Sequence, residues 1–61
     1  MLIEKGTTAN GTYWELRKGT DGSGDDIYVV QTERQGETRR ITHQERLPTE
    51  GEAKAWIQYA I

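Results

Sequence analysis

The sequence predicts an α+β fold, a three- or four-stranded antiparallel β-meander with one C-terminal α-helix packed on one face. Three observations lead there. Residues 12–18 alternate apolar and polar side chains, and residues 26–33 hold the unbroken run Ile27-Tyr28-Val29-Val30. Turn-forming residues separate these segments from each other and from their neighbours, at Asn10-Gly11, Gly19 to Asp26 and Gln35-Gly36. Last, Pro48 to Ile61 carries a capping sequence followed by apolar residues at helical spacing. The 61 residues form a single small domain, residues 1–61, at a size where every large apolar side chain counts.

Met1 to Lys5 is short and apolar at its start, and reads as an edge strand at about residues 1–5. Asn10-Gly11 suits the two positive-φ positions of a type I′ hairpin turn. Asn10-Gly11-Thr12 also fits the glycosylation acceptor pattern, and the turn accounts for it more simply. The next strand, 12–18, turns Trp14 and Leu16 to the core and Tyr13, Glu15 and Arg17 outward. Gly19 to Asp26, with Gly19, Gly22 and Gly24 among three aspartates, is a loop.

The strand at 26–33 is apolar on both faces, so its buried side has to be decided by the following turn. A loop of Arg34, Gln35 and Gly36, with glycine at a left-handed bulge position, spares Gln35 a positive φ. That register sets Val29 opposite Ile41, Val30 opposite Arg40 and Thr32 opposite Thr38. Ile27, Val29 and Ile41 then face the helix, and Tyr28, Val30, Thr32, Thr38, Arg40 and Thr42 form the open face. The last strand runs over 37–43, and His43 to Leu47 is a connection with Leu47 anchored in the core.

The helix is expected at 49–61. Thr49 and Glu52 make a capping box, Glu50 and Glu52 suit the positive end of the helix dipole, and Pro48 holds Leu47 extended. Ala53, Trp56, Ile57, Ala60 and Ile61 make the apolar stripe, with Trp14 and Trp56 as the two halves of the core contact and Tyr59 outside it.

Composition narrows the function. There is no cysteine, so neither disulfides nor thiolate metal sites are available, and a cytoplasmic location is expected. No apolar run is long enough to cross a bilayer, and no membrane role is expected. The net charge of −2 opposes a purely electrostatic nucleic-acid binder, although Arg34, Arg39, Arg40 and Arg46 outnumber Glu37 and Glu45 within one stretch.

Asp21, Ser23 and Asp25 repeat the first oxygen positions of a calcium loop. The pattern then fails, with Asp26 where glycine is required and Thr32 where a bidentate glutamate belongs. His43 is the single histidine and has no nucleophile placed with it, so an enzyme, a cofactor and a small-molecule substrate are not expected. The remaining chemistry is that of a surface. Tyr13, Arg17, Tyr28, Val30, Arg39 and Arg40 are the candidate binding residues, for a partner protein or a second copy of the chain. DNA, contacted through Arg17, Arg39 and Arg40, is the alternative.

Tyr13-Trp14-Glu15-Leu16, Gly36-Glu37-Thr38-Arg39-Arg40-Ile41 and Thr49-Glu50-Gly51-Glu52-Ala53-Lys54-Ala55-Trp56 together resemble the arm-type, AP2-like DNA-binding domains of phage integrases. The layout is also similar to other small phage-encoded β-meander/helix proteins. The integrase resemblance implies a sheet that enters the DNA major groove and extends a DNA role to Arg17, Arg39 and Arg40. Glu15, Glu33 and Glu37 would oppose phosphates on or beside that face.

Overall fold

The computed structural model describes residues 1–61. Four strands, β1 (Leu2–Thr7), β2 (Tyr13–Thr20), β3 (Asp26–Gln35) and β4 (Arg40–Leu47), form one antiparallel sheet in sequence order, followed by the helix α1 (Glu50–Ala60). The expected α+β meander is therefore present, with four strands. The helix packs on β3 and β4.

The core is small. Leu16, Val30 and Ala53 are fully buried, and Ile3, Trp14, Tyr28, Leu47, Trp56 and Ile57 pack around them half-buried. Leu16 and Val30 are paired across β2 and β3, and Ala53 has no side chain beyond Cβ to hold the helix off them. The Trp14 indole lies along the β1 backbone at Gly6, where an added Cβ would meet Cζ2 at 2.9 Å. Trp56 stacks on the His43 imidazole, with ring centroids 5.7 Å apart and planes at 19°. Tyr59 is exposed, as its place outside the stripe predicts.

The helix begins as expected. Thr49 is extended (φ −133°, ψ 156°), and its hydroxyl accepts from the Glu52 amide at 3.1 Å. Only this half of the capping box forms, the Glu52 carboxylate making no return bond. Glu50 instead pairs with Lys54 one turn on, at 3.3 Å.

The β3–β4 register differs from the expected one. Tyr28 pairs with Leu47, Val30 with Glu45, Thr32 with His43, Arg34 with Ile41 and Gln35 with Arg40. Strand β4 thus starts later and runs through Leu47, absorbing the segment expected as a connection. The displacement from the expected pairing is an odd number of residues, so β3 turns over relative to β4. Val30 and Tyr28 go to the helix side, and Ile27 and Val29 to the open side. Strands β2 and β4 keep their expected faces, Trp14, Leu16 and Ile41 towards the helix and Tyr13, Arg17, Arg40 and Thr42 away.

The cause lies at Gly36. Only Gly11 and Gly24 have positive φ, so Gly36 is not a left-handed bulge residue. It is glycine because space is short, since a Cβ there would meet the Arg39 carbonyl oxygen at 2.8 Å and Ile41 Cδ1 at 2.9 Å. Its amide donates to that same carbonyl at 2.7 Å, closing the chain reversal around Glu37 and Thr38.

The three-residue loop with a left-handed glycine occurs at the other two hairpins. In the first, the Gly11 amide donates to the Thr8 carbonyl at 3.0 Å and the Thr8 amide to the Thr12 carbonyl at 2.8 Å. Asn10 does not take positive φ, so the expected type I′ turn is replaced by a Thr8–Gly11 turn with Gly11 at φ 90°. The second repeats the pattern at Asp21 to Asp25, with Gly24 at φ 91°. In both, the first residue's side-chain oxygen caps the fifth residue's amide, at 3.1 Å for Thr8 and 3.0 Å for Asp21.

These contacts separate glycines by cause. Gly36→Ala should cost about 1–3 kcal/mol of stability, read as a lower urea midpoint, from overpacking against backbone. Gly19→Ala, at a position with nothing within 4 Å and no positive φ, should be neutral or stabilise by up to about 1 kcal/mol. Equal losses at the two sites would show that crowding at Gly36 is unimportant. Thr49→Ala should cost about 1 kcal/mol in the same measurement by leaving the Glu52 amide uncapped.

Candidate functional site: the open sheet face and its edge

Antiparallel pairing fixes which side chains share the face opposite the helix. Tyr13, Glu33 and Thr42 form one cross-strand row, Glu15, Gln31 and Gln44 the next, and Arg17, Val29 and Arg46 a third. Leu2 pairs with Arg17, and Ile27 with Gly19, extending the third row's apolar end. The face is thus divided. A polar half is centred on Glu15 and Glu33, and an apolar half has Val29 between Arg17 and Arg46, with Leu2 beyond Arg17 on β1 and Ile27 in the adjoining row.

Glu15 organises the polar half. Its Oε2 accepts from the Tyr13 hydroxyl at 2.7 Å, and its Oε1 accepts from Arg17 Nη2 at 2.7 Å and Nε at 3.2 Å. All three residues alternate on β2, so the strand's period alone brings them together. The Tyr13 hydrogen bond, and then that from Arg17, hold the Glu15 carboxyl below the ordinary glutamate range. The same bond to Glu15 raises the Tyr13 phenol above its ordinary value. Across the sheet, Arg40 Nη1 meets Glu33 Oε1 at 3.2 Å. Between these two clusters lies a shallow concavity of about 410 Å³, lined chiefly by Tyr13, Glu15, Gln31, Glu33, Thr42 and Gln44.

Of the six sequence-predicted residues, Tyr13, Arg17 and Arg40 share the open face. Arg39 lies in the β3–β4 turn, beside the face rather than on it. Val30 is fully buried against the helix and cannot touch a partner, which corrects its expected exposure. Tyr28 is corrected likewise, for it packs half-buried on the helix side with Lys18 Nζ 5.9 Å from its ring centroid. Ile27, Val29, Gln44 and Arg46 take their place. The apolar run 27–30 carried no alternation from which to find them, but once the turn is known the register supplies all four.

The remaining candidates resolve locally. Asp21 Oδ1 accepts from the Ser23 amide and hydroxyl and from the Asp25 amide at 2.7–3.0 Å, the Ser23 hydroxyl contributing most to lowering the Asp21 pKa. That oxygen caps its own turn. No cluster of three or more histidine, cysteine, aspartate or glutamate side chains has metal-binding geometry. His43 lies on the helix side, against Trp56 and 3.3 Å from Glu45 Oε1. No helix is long and apolar enough to cross a membrane.

Comparisons with protein-family models, with curated proteins and with solved structures returned no match to the chain.

The clamp has a consequence in solution. A carboxyl whose folded pKa is depressed adds stability above its unfolded pKa, and this is lost as pH falls through the folded value. Acidification should therefore protonate Glu15 below the ordinary glutamate range and release Tyr13 and Arg17 in one step, seen as coincident NMR shifts at all three. Glu15→Gln should bring the Tyr13 phenol back towards its ordinary titration, read by absorbance at alkaline pH. An unchanged tyrosine titration would mean the bond does not persist in water.

Proposed function

We propose that the chain is a non-enzymatic interaction module that binds a partner protein through the open face of the sheet or its edge. The observation that carries this reading is the face itself, where Leu2, Ile27, Val29 and Tyr13 stand among arginines with no element of the chain packed over them. The Glu15 clamp holds Tyr13 and Arg17 in place before a partner arrives, reducing the side-chain entropy lost on binding. Aromatic and arginine side chains on a rigid sheet supply the anchors common at protein interfaces. A cytoplasmic setting belongs to the same reading, as does encoding by a phage or other mobile element.

Sheet-type DNA binding is the second reading, and one observation favours it. Lys5, Arg17, Arg40 and Arg46 lie on the open face against Glu15 and Glu33, a positive surplus on a chain whose net charge is −2. The resemblance to integrase arm-type domains points the same way, with Arg39 at the turn. Arg17 and Arg40 are, however, already committed to carboxylates, and a phosphate would compete for them.

Crosslinking from a photoreactive group at Gln31 in host lysate, followed by mass spectrometry, tests the first reading. A discrete protein adduct that is lost in Tyr13→Ala and Arg17→Ala variants of unchanged melting temperature is expected. An adduct indifferent to both substitutions would exclude the face. Titration of labelled duplex DNA at two salt concentrations tests the second, for which affinity should fall steeply with salt. Solution mass separates a foreign partner from a second copy meeting the same face.

A further inference from the structure

The sheet has two free edges, and they differ. Strand β1 is interrupted by a register shift between Leu2 and Glu4, an irregularity that discourages further pairing. Strand β4 has none, matching β3 residue for residue from Leu47 back to Arg40. The Gly36 amide donates to the Arg39 carbonyl, and an antiparallel ladder alternates inward and outward residues from that point. Ile41, His43, Glu45 and Leu47 therefore bond to β3, while Arg40, Thr42, Gln44 and Arg46 aim their backbone N–H and C=O groups at solvent. These four residues also carry the side chains of the open face.

Their charges specify what can pair with them. A second copy of β4, placed antiparallel so that all four outward residues are used, would set Arg40 against Arg46 twice and Thr42 against Gln44. Like charges directly opposite destabilise a strand pair, so the edge disfavours full-length pairing with its own copy. A strand with carboxylates opposite Arg40 and Arg46 meets the reverse condition. Arg46 makes no ion pair within the chain, while Arg40, its side chain 68% exposed, pairs with Glu33 and would have to share itself with a partner carboxylate. On the helix side, the intervening residues of such a strand would lie beside Ile41 and the His43–Trp56 stack, where apolar side chains fit.

We infer that the β4 edge is a strand-addition site for an extended acidic segment of a partner protein, with carboxylates six residues apart opposite Arg40 and Arg46 and apolar residues between. This rests on the protein-binding reading above and gives the partner's chemistry. Backbone bonds supply the attraction, while the arginines select sign and register.

The probe is the capped peptide acetyl-Glu-Val-Thr-Val-Thr-Val-Glu-amide, titrated into the isotopically labelled full chain and followed by amide NMR. Shifts are expected to concentrate at Arg40, Thr42, Gln44 and Arg46, with affinity about tenfold lower when both glutamates of the peptide are lysines. Gln44→Pro removes an amide that points to solvent rather than to β3, so this variant should fold, with the remaining β4 shifts preserved, and lose binding. Arg46→Glu should cancel the preference between the two peptides, and Arg40→Glu combined with Arg46→Glu should reverse it.

Shifts centred on Tyr13, Glu15 and Gln31 would move the site to the face and overturn the edge assignment while leaving the broader function standing. No shift at millimolar peptide, or equal binding of the lysine peptide, would overturn it outright. Displacement of the β4 shifts by duplex DNA, with steep salt dependence, would overturn it by assigning the arginines to phosphates. Lysate crosslinking at Gln31 tests the broader function separately, since a face-bound partner would still be captured there.

Discussion

Everything in this chain depends on how closely α1 approaches the sheet. Leu16 and Val30 are neighbours across β2 and β3, and Ala53 closes over them. With no large side chain between helix backbone and sheet, two residues of ordinary size suffice to fill the interior, and Trp14, Trp56, Tyr28 and Leu47 can remain half-buried around the margin. Such a core is shallow, and it permits a sheet only one layer thick on its other side. The open face follows from a helix that covers one side only, and the free β4 edge from that strand's place at the end of the sheet.

The turns set this arrangement as firmly as the core does. Two hairpins use a left-handed glycine with a side chain of the first loop residue capping the fifth, and the third uses a glycine hemmed in by Arg39 and Ile41. Glycine thus has two separate meanings within one short chain. At Gly11 and Gly24 it relieves backbone torsion, and at Gly36 it makes room. The second meaning is invisible in a sequence, because the atoms that need the room arrive from residues whose register is not yet known.

That explains which parts of the molecule were legible. The helix, its Thr49 cap, the meander and the inward faces of β2 and β4 could be read from period and turn chemistry, because each signal is local. The face of β3 could not, for Ile27 to Val30 offers apolar side chains to both sides and the deciding turn depends on crowding at Gly36 by Arg39 and Ile41. Two of the six candidate site residues, Tyr28 and Val30, went to the helix side with that strand. Tyr13, Arg17 and Arg40 stayed on the open face because their own strands alternate. The Glu15 clamp could have been found from β2 alone, since Tyr13, Glu15 and Arg17 stand at successive outward positions.

A meander in which each strand pairs with its neighbour in sequence also has a kinetic meaning. Every strand–strand contact forms within a hairpin, so the chain closes only short loops on the way to its native state. The helix then joins β3 and β4, the hairpin directly before it, and together these form the most mutually supported part of the molecule. Strand β1, held by β2 alone and broken by its irregularity, is the natural place for the sheet to open first. The two edges are therefore unequally supported. Strand β1 rests on one neighbour through an irregular ladder, whereas β4 is backed by both β3 and α1.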